Sequence, residues 1–390
     1  MSASTVLPHV SVVTVLALAS AIVSIASADE CVEQNVRYEL IPLSDKAGTA
    51  LSINERGDLV GRFSLPDGTT SSFVWSCPRG MTRFRGEGNA SMINNRRQIV
   101  GYLADQTFIW DRARGTQLLG EGFPTSLNDW GDVTFEGADH FLWTAATGTA
   151  ALLDLTGATF AEALVNNRRQ VGGYVYDPVE GPTPQFGFVN WSASDGLRII
   201  VEPAGPDSDD PVPNLMLSGY NERGDILGTW FFGSHIVAFI VMSDGTTKDI
   251  LPLTGGVNVR SSGFNNQRQV IGYSEGYPGY PFLWDPTNLF RDLNVMIYGH
   301  VPAANEPAIT AVNAINEWGW IATSARTAAS TASSPALLVP VPADEPYYSN
   351  LARLRGPRLC KALTSLQVRA ATRASSCASN GADASNSTAE

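Results

Sequence analysis

The sequence predicts an all-β chain, a seven-bladed β-propeller of four-stranded antiparallel blades, and three observations predict it. An apolar residue followed by asparagine, a short polar turn and a renewed apolar run occurs seven times, at Asn54, Asn94, Asn128, Asn166, Asn221, Asn265 and Asn316. The first and last markers are 316 − 54 = 262 residues apart, so the six intervals average about 44 residues, a period typical of propeller blades. After most markers comes aromatic-x-Trp, as in Phe73-Val74-Trp75, Phe108-Ile109-Trp110, Phe141-Leu142-Trp143 and Phe282-Leu283-Trp284.

Taken in order, residues 1–28 read as a secretory signal peptide: an apolar run from Val10 to Ile25 ends in Ala26-Ser27-Ala28 before Asp29. The expected product is secreted to the cell exterior or periplasm. The segment 36–43, Val36 to Leu43, reads as a strand with no repeat of its own, and repeat 7 lacks its fourth strand. An unpaired sheet edge is a liability, so residues 36–43 are expected to complete blade 7.

Each repeat then reads as a hairpin across the marker, a third strand carrying aromatic-x-Trp, a Gly turn and a fourth strand, for example Gly148 to Leu155. Small residues precede the marker (Ser52, Ser91, Ser126, Ala163, Gly219, Gly263, Ala314), as crowding of seven strands about an axis would demand. Insertions lengthen repeats 4 and 6, one of them running from Pro203 to Pro213. The domain is expected to span 29–345. Beyond it, residues 357–374 read as a basic helix and the Ala/Ser/Asn-rich end as a disordered tail.

The repeat resembles the HAF-type extracellular repeat family, whose units read apolar-Asn-x-x-Gly-x-apolar-apolar-Gly, then aromatic-x-Trp and a Gly turn. The resemblance covers residues 50 to about 340. Phe135 and Thr323 depart from it by replacing the closing glycine. It implies a secreted, propeller-like protein and carries no catalytic residues across.

Composition narrows the function classes. A formal charge of −12 argues against nucleic-acid binding, which needs a basic surface, and a monomer is expected. Odd repeats read Asn-Glu/Asp-x-Gly and even ones Asn-Asn-Arg/Gln-Arg. Their basic groups (Arg56, Arg96, Arg97, Arg168, Arg169, Arg223, Arg268) are matched by seven acidic ones, among them Asp58, Asp132, Asp225 and Glu317. Neighbouring turns should therefore pair charge with charge rather than trap an anion.

Gly272-Tyr273-Ser274-Glu275-Gly276 matches G-x-S-x-G, but a nucleophile elbow requires a strand feeding a helix, and Pro278 and Pro281 follow here. Asp207, Asp209 and Asp210 offer oxygens to calcium without the Gly and distal Glu of the EF-hand pattern, so no cofactor is expected beyond that single metal candidate. Cys31, Cys77, Cys360 and Cys377 allow three connectivities; their positions favour Cys31–Cys77 and Cys360–Cys377.

The expected ligand face lies opposite the charged turns. Tyr102, Tyr174 and Tyr273 follow the closing glycine of the even repeats, and Tyr176, Asp177, Glu275, Tyr277 and Tyr280 lie in the loops they introduce. Flat rings with a polar handle suit a sugar. The leading expectation is noncatalytic binding of, or a scaffold role for, a carbohydrate or cell-surface component. A propeller enzyme acting on sugars or lactones through an acidic or metal site at the channel mouth stands second, and a purely structural repeat third.

Overall fold

In the computed structural model the described residues are 36–77, 79–177, 185–201, 214–232, 235–251, 258–275, 280–298, 308–326, 332–343, 351–354 and 356–369. One compact unit comprises Gln34–Val368; the other, Met1–Glu33 with Arg369–Glu390, lies outside the described residues except for Arg369. Among the described residues no helix is long and apolar enough to cross a membrane.

The chain is all-β, and every repeat supplies antiparallel strands in sequence order. Repeat 1 comprises Gly48–Ile53, Leu59–Ser64, Thr70–Ser76 and Gly80–Arg83, and repeats 2, 3 and 4 form four-stranded sheets of the same order. The strands of repeats 5 and 6 join into one eight-stranded sheet, but only through the parallel pair Ile236↔Asn258. Repeat 7 contributes Ala308–Ile315, Ile321–Arg326 and Ser333–Pro342. Its fourth strand is Val36–Pro42, antiparallel to Ser333–Pro342 with Leu40 opposite Leu338.

The repeated motif has a packing reason. The closing glycine and the aromatic of aromatic-x-Trp are cross-strand partners: Gly61↔Phe73, Gly101↔Phe108 and Gly272↔Phe282. A Cβ on Gly61 would stand 2.4 Å from the Phe73 ring, and one on Gly272 2.7 Å from Phe282. The ring lies over the bare glycine backbone, and both are sealed from water. The tryptophan pairs two residues along with the apolar residue five after the asparagine, as in Leu59↔Trp75 and Val270↔Trp284. Repeat 3, which lacks the glycine, stacks Phe135 on Phe141 at 5.1 Å instead. Its second strand, Val133–Glu136, is correspondingly short.

The marker asparagines are buried in all seven turns. Each side-chain Oδ1 accepts the N–H groups two and four residues on; Asn54 takes those of Arg56 and Asp58 at 3.0 and 2.9 Å. The Nδ2 group then donates out of the repeat. Asn54 reaches the Asn94 carbonyl, Asn94 that of Asn128, Asn128 that of Asn166 and Asn166 that of Asn221. Asn265 reaches Asn316, and Asn316 reaches Asn54 at 3.0 Å across 262 residues. Aspartate lacks the donor for this role.

Two expectations are corrected, and one irregularity is added to them. The fourth strand of repeat 3 stops at Ala151, and Leu152–Thr156 is a short helix. Leucine-rich residues favour helix, and Gly157, at φ 74°, supplies the left-handed cap. The first strand of each repeat is also not regular. Register shifts such as those between Ala50 and Ser52, Ala90 and Met92, and Leu217 and Gly219 mark a β-bulge in every repeat. Lastly, Cys77 bonds Cys360, with Cα atoms 5.5 Å apart, so neither Cys31–Cys77 nor Cys360–Cys377 forms. A helix over 356–369 lies against repeat 1 and carries Cys360 to Cys77. Cys31 and Cys377 lie outside the described residues.

Replacing Asn128 with alanine removes four hydrogen bonds and leaves two buried donors and two acceptors short of a partner. At roughly 1 kcal/mol per bond, and more for each group stranded, urea unfolding should show a loss of about 4 kcal/mol. The exposed Thr82→Ala change should move the midpoint little.

Candidate functional site

The turn end of the repeats carries a second circuit of hydrogen bonds, made by the residue after each marker. The backbone N–H of Glu55 donates to Asn95, that of Asn95 to Asp129, and that of Asp129 to Asn167. The sequence continues through Glu222, Asn266 and Glu317, whose N–H donates to Glu55 at 3.0 Å. Carboxylates and amides alternate, except that Glu317 and Glu55 are neighbours. Burial first, then the Glu317 charge, pushes Glu55 up to about 8. Glu222 and Glu317 are also raised, chiefly by burial.

A third layer pairs charges, as the turn sequences anticipate. Arg97 reaches Asp58 at 2.7 Å, Arg169 reaches Asp132 at 3.0 Å and Arg268 reaches Asp225 at 2.9 Å. The three aspartates are buried. Burial pushes the Asp225 carboxyl up, but hydrogen bonds from Arg268, Asn221 and the Ser243 N–H outweigh it and hold the group below its usual range. These arginines sit at φ 62°, 59° and 58°, where the odd repeats place glycine. The guanidiniums of Arg96 and Arg169 also lie 4.9 Å from the exposed Trp130 ring. The turn end is thus knitted together internally.

The far end of strand two varies from repeat to repeat. The residue eight after each marker is Arg62, Tyr102, Glu136, Tyr174, Thr229, Tyr273 or Ser324. Several reach the next repeat: Arg62 donates to the Ala90 carbonyl and the Ser91 hydroxyl, and Ser324 to Thr49. Tyr174, Thr229 and Ser324 are buried. Repeats 1 to 3 are more open. The Arg62 guanidinium lies 5.3 Å from the Tyr102 ring, and Tyr102 meets Phe123 edge-on, also at 5.3 Å. Phe123 is 54% exposed and pairs across the strands with the exposed Glu136. Gly122, at φ 125°, makes that pairing feasible, since a Cβ there would stand 2.0 Å from the Glu136 carbonyl oxygen.

Behind the patch, Glu136 is also the cross-strand partner of His140. His140 is buried, and its Nδ1 has no hydrogen-bond partner. Burial lowers its pKa; Glu136, the Ala161 backbone and Asp139 act against that. Glu162, in the first strand of repeat 4, accepts the Leu217 N–H; burial pushes it up to about 7, with Glu136 adding to the shift. Glu136 thus faces one buried base and one carboxyl poised near neutrality.

Of the tyrosines expected on the ligand face, Tyr102 belongs to the open patch, whereas Tyr174 is corrected to a core residue. It is 1% exposed and packs on Phe188 at 5.1 Å, because its strand continues to Asp177 and places it under repeat 5. Tyr273 and Tyr280 are half-buried, Tyr280 edge-on to Phe290. Tyr176, Asp177 and Glu275 end their strands. Their side chains, and all of Tyr277, Asp207, Asp209 and Asp210, lie outside the described residues. Ser274 is buried within the strand Val270–Glu275, and the next described element is the strand Tyr280–Asp285. Among the described residues no group of three His, Cys, Asp or Glu side chains is placed to hold a metal. Arg62 and Phe123 were missed at the sequence level. Their signal was positional variation at a fixed offset from the marker.

Two outcomes are expected at the turn end. Arg268→Gly relieves a left-handed residue worth about 1 kcal/mol but strands a buried carboxylate, a loss of about 3–5 kcal/mol. Chemical denaturation should show a net loss of about 2–4 kcal/mol, mostly restored by adding Asp225→Asn. Glu55 is held protonated, with its pKa raised to about 8. A raised acid binds more protons when folded, so the stability it contributes is lost as pH rises through that value. The wild type should weaken progressively from about pH 4.5 to about pH 8 and level off above it; Glu55→Gln should flatten that slope in denaturant melts.

No described protein family matches the sequence, and no curated protein is significantly similar to it. Solved structures do resemble it. Virginiamycin B lyase from Staphylococcus aureus superposes with a TM-score of 0.50 at 9% identity, covering 78% of this chain and 99% of its own. A streptogramin B lyase gives 0.48 at 12% identity, covering 79% and 98%. A gluconolactonase from Xanthomonas campestris gives 0.38 at 10% identity, covering 78% and 98%. At the level of the first of these, the likeness is one of fold alone: the chain has the architecture of a β-propeller.

Proposed function

We propose that the chain is an exported, seven-bladed β-propeller of the HAF-repeat type that binds a carbohydrate or other hydroxyl-rich surface component without transforming it. Seven blades in a closed ring are supported by the Asn316-to-Asn54 and Glu317-to-Glu55 hydrogen bonds. Export is supported by the leader-like first 28 residues and by the Cys77–Cys360 bridge, a bond that persists in oxidising compartments.

The observation that carries the binding role is the open patch of Arg62, Tyr102, Phe123 and Glu136. An exposed aromatic ring stacks on the apolar face of a sugar. A carboxylate accepts hydrogen bonds from sugar hydroxyls, and a guanidinium donates to ring or carboxyl oxygens. Phe123 is one of several exposed large apolar side chains; it is set apart by lying edge-on to Tyr102 and across the strands from Glu136.

A second reading, a hydrolase or lyase, is favoured by the buried His140 and the Glu162 carboxyl beside Glu136, since catalytic acids and bases are tuned toward neutrality in this way. One experiment separates the two. Immobilised glycans should retain the wild type, and Tyr102→Ala/Phe123→Ala should lose at least tenfold in affinity by calorimetry with an unchanged melting temperature. Turnover of a bound glycan or lactone that Glu162→Gln abolishes would favour the enzyme. Binding indifferent to the aromatic pair would reject the patch.

A further inference from the structure

The junction between repeats 7 and 1 is built unlike the others. Where repeats 1, 3 and 5 place Asp58, Asp132 and Asp225 for the arginine of the next repeat, repeat 7 has Trp320, and the residue it faces is Gly57. A Cβ on Gly57 would stand 2.6 Å from the Trp320 ring. Trp318 donates its indole N–H to the Glu55 carbonyl at 2.9 Å. An apolar contact thus replaces the ion pair.

Over this junction lies the helix of residues 356–369. Leu359, Ala362, Leu363 and Leu366, at helical spacing, form its buried stripe. They share one cluster with Ile53, Leu59 and Trp75 of repeat 1, with Trp320, Ala322, Leu337 and Val339 of repeat 7, and with Ile41 of the N-terminal strand. Gln367 donates to the same Glu55 carbonyl at 3.3 Å. The helix is fastened at one covalent point, Cys77–Cys360, between the turn after the third strand of repeat 1 and its own first turns.

We propose that this helix is a redox-locked latch over the junction of repeats 7 and 1. The Cys77–Cys360 bridge holds it closed, and reduction by a dithiol opens it while the repeats stay folded. One thiolate of the dithiol attacks the Cys360 sulfur and the Cys77–Cys360 bond breaks, Cys77 leaving as a thiolate that takes up a proton. The second thiol resolves the mixed disulfide. Two electrons and two protons pass to the protein, giving two thiols, and the dithiol becomes a disulfide. Both cysteines are half-buried, so a reductant has access. A helix of this length is marginal by itself in water, so its order depends on staying docked. The repeats beneath it keep both hydrogen-bond circuits, to which the helix contributes only the Gln367 contact.

The test is hydrogen exchange with mass spectrometry on the full chain, in a Cys31→Ser/Cys377→Ser background that leaves this bridge alone. Dithiothreitol added to the folded protein should speed exchange in residues 356–369 at least tenfold and red-shift the fluorescence of Trp318 and Trp320. Exchange in the strands of repeats 3 to 5 should not change, and reoxidation should restore the helix. Leu363→Asp without reductant should give the same local signal, calibrating release. Unchanged protection of 356–369 after reduction, or exchange rising together across all repeats, would overturn the latch.

Discussion

The hydrogen bond by which six of the seven marker asparagines reach the next repeat is the interaction on which the rest of the structure depends. One side chain ties its own turn with two accepted N–H groups and hands its amide to the following turn. Sheets that meet face to face share apolar contacts, which have little directional preference. Buried amide bonds do: unmet, they cost more than they contribute when made. They therefore fix the height at which one sheet docks on the next, and the apolar cores between repeats fill the space so defined.

Two alternating kinds of turn in an odd number of repeats leave the same kind in the first repeat and the last. Repeats 7 and 1 are both of the acidic-turn kind, and the consequences gather where they meet. Glu55 and Glu317 become neighbours; burial and the Glu317 charge raise Glu55, and burial raises Glu317. The ion pair found three times elsewhere has no arginine there, and Trp320 and Gly57 replace it with packing. The N-terminal strand, the bridge from Cys77 and the 356–369 helix all converge on the same two repeats. This junction thus carries a covalent bridge and a shared apolar cluster.

The two ends of a repeat divide labour. At the turn end, sequence is restricted because every position has a bond to make, and exposed charge is mostly spent on neighbours. At the far end of strand two, the side chain eight after the asparagine differs in size, charge and burial from repeat to repeat. Arginine, tyrosine and glutamate occur there in succession, beside a phenylalanine that stays half exposed. Variation on a rigid scaffold is where recognition chemistry is expected to reside.

The sequence by itself determined the repeats, their strands, the turn residues, the pairing of arginines with aspartates and the assignment of 36–43 as an added strand. These follow from period, apolar alternation and charge counting, all local or periodic signals. It also marked glycine and aromatic-x-Trp as a unit, although only the register explains why: the ring covers the glycine across the strands. Tertiary structure alone decided the rest. The bulge in each first strand needs a partner strand to be seen, and Tyr174 was sent to the core by the repeat above it. Cys77 chose Cys360 because an amphipathic helix 283 residues away docks beside it. Contacts that distant leave no period in the chain, since each occurs once and is set by where folded surfaces happen to meet.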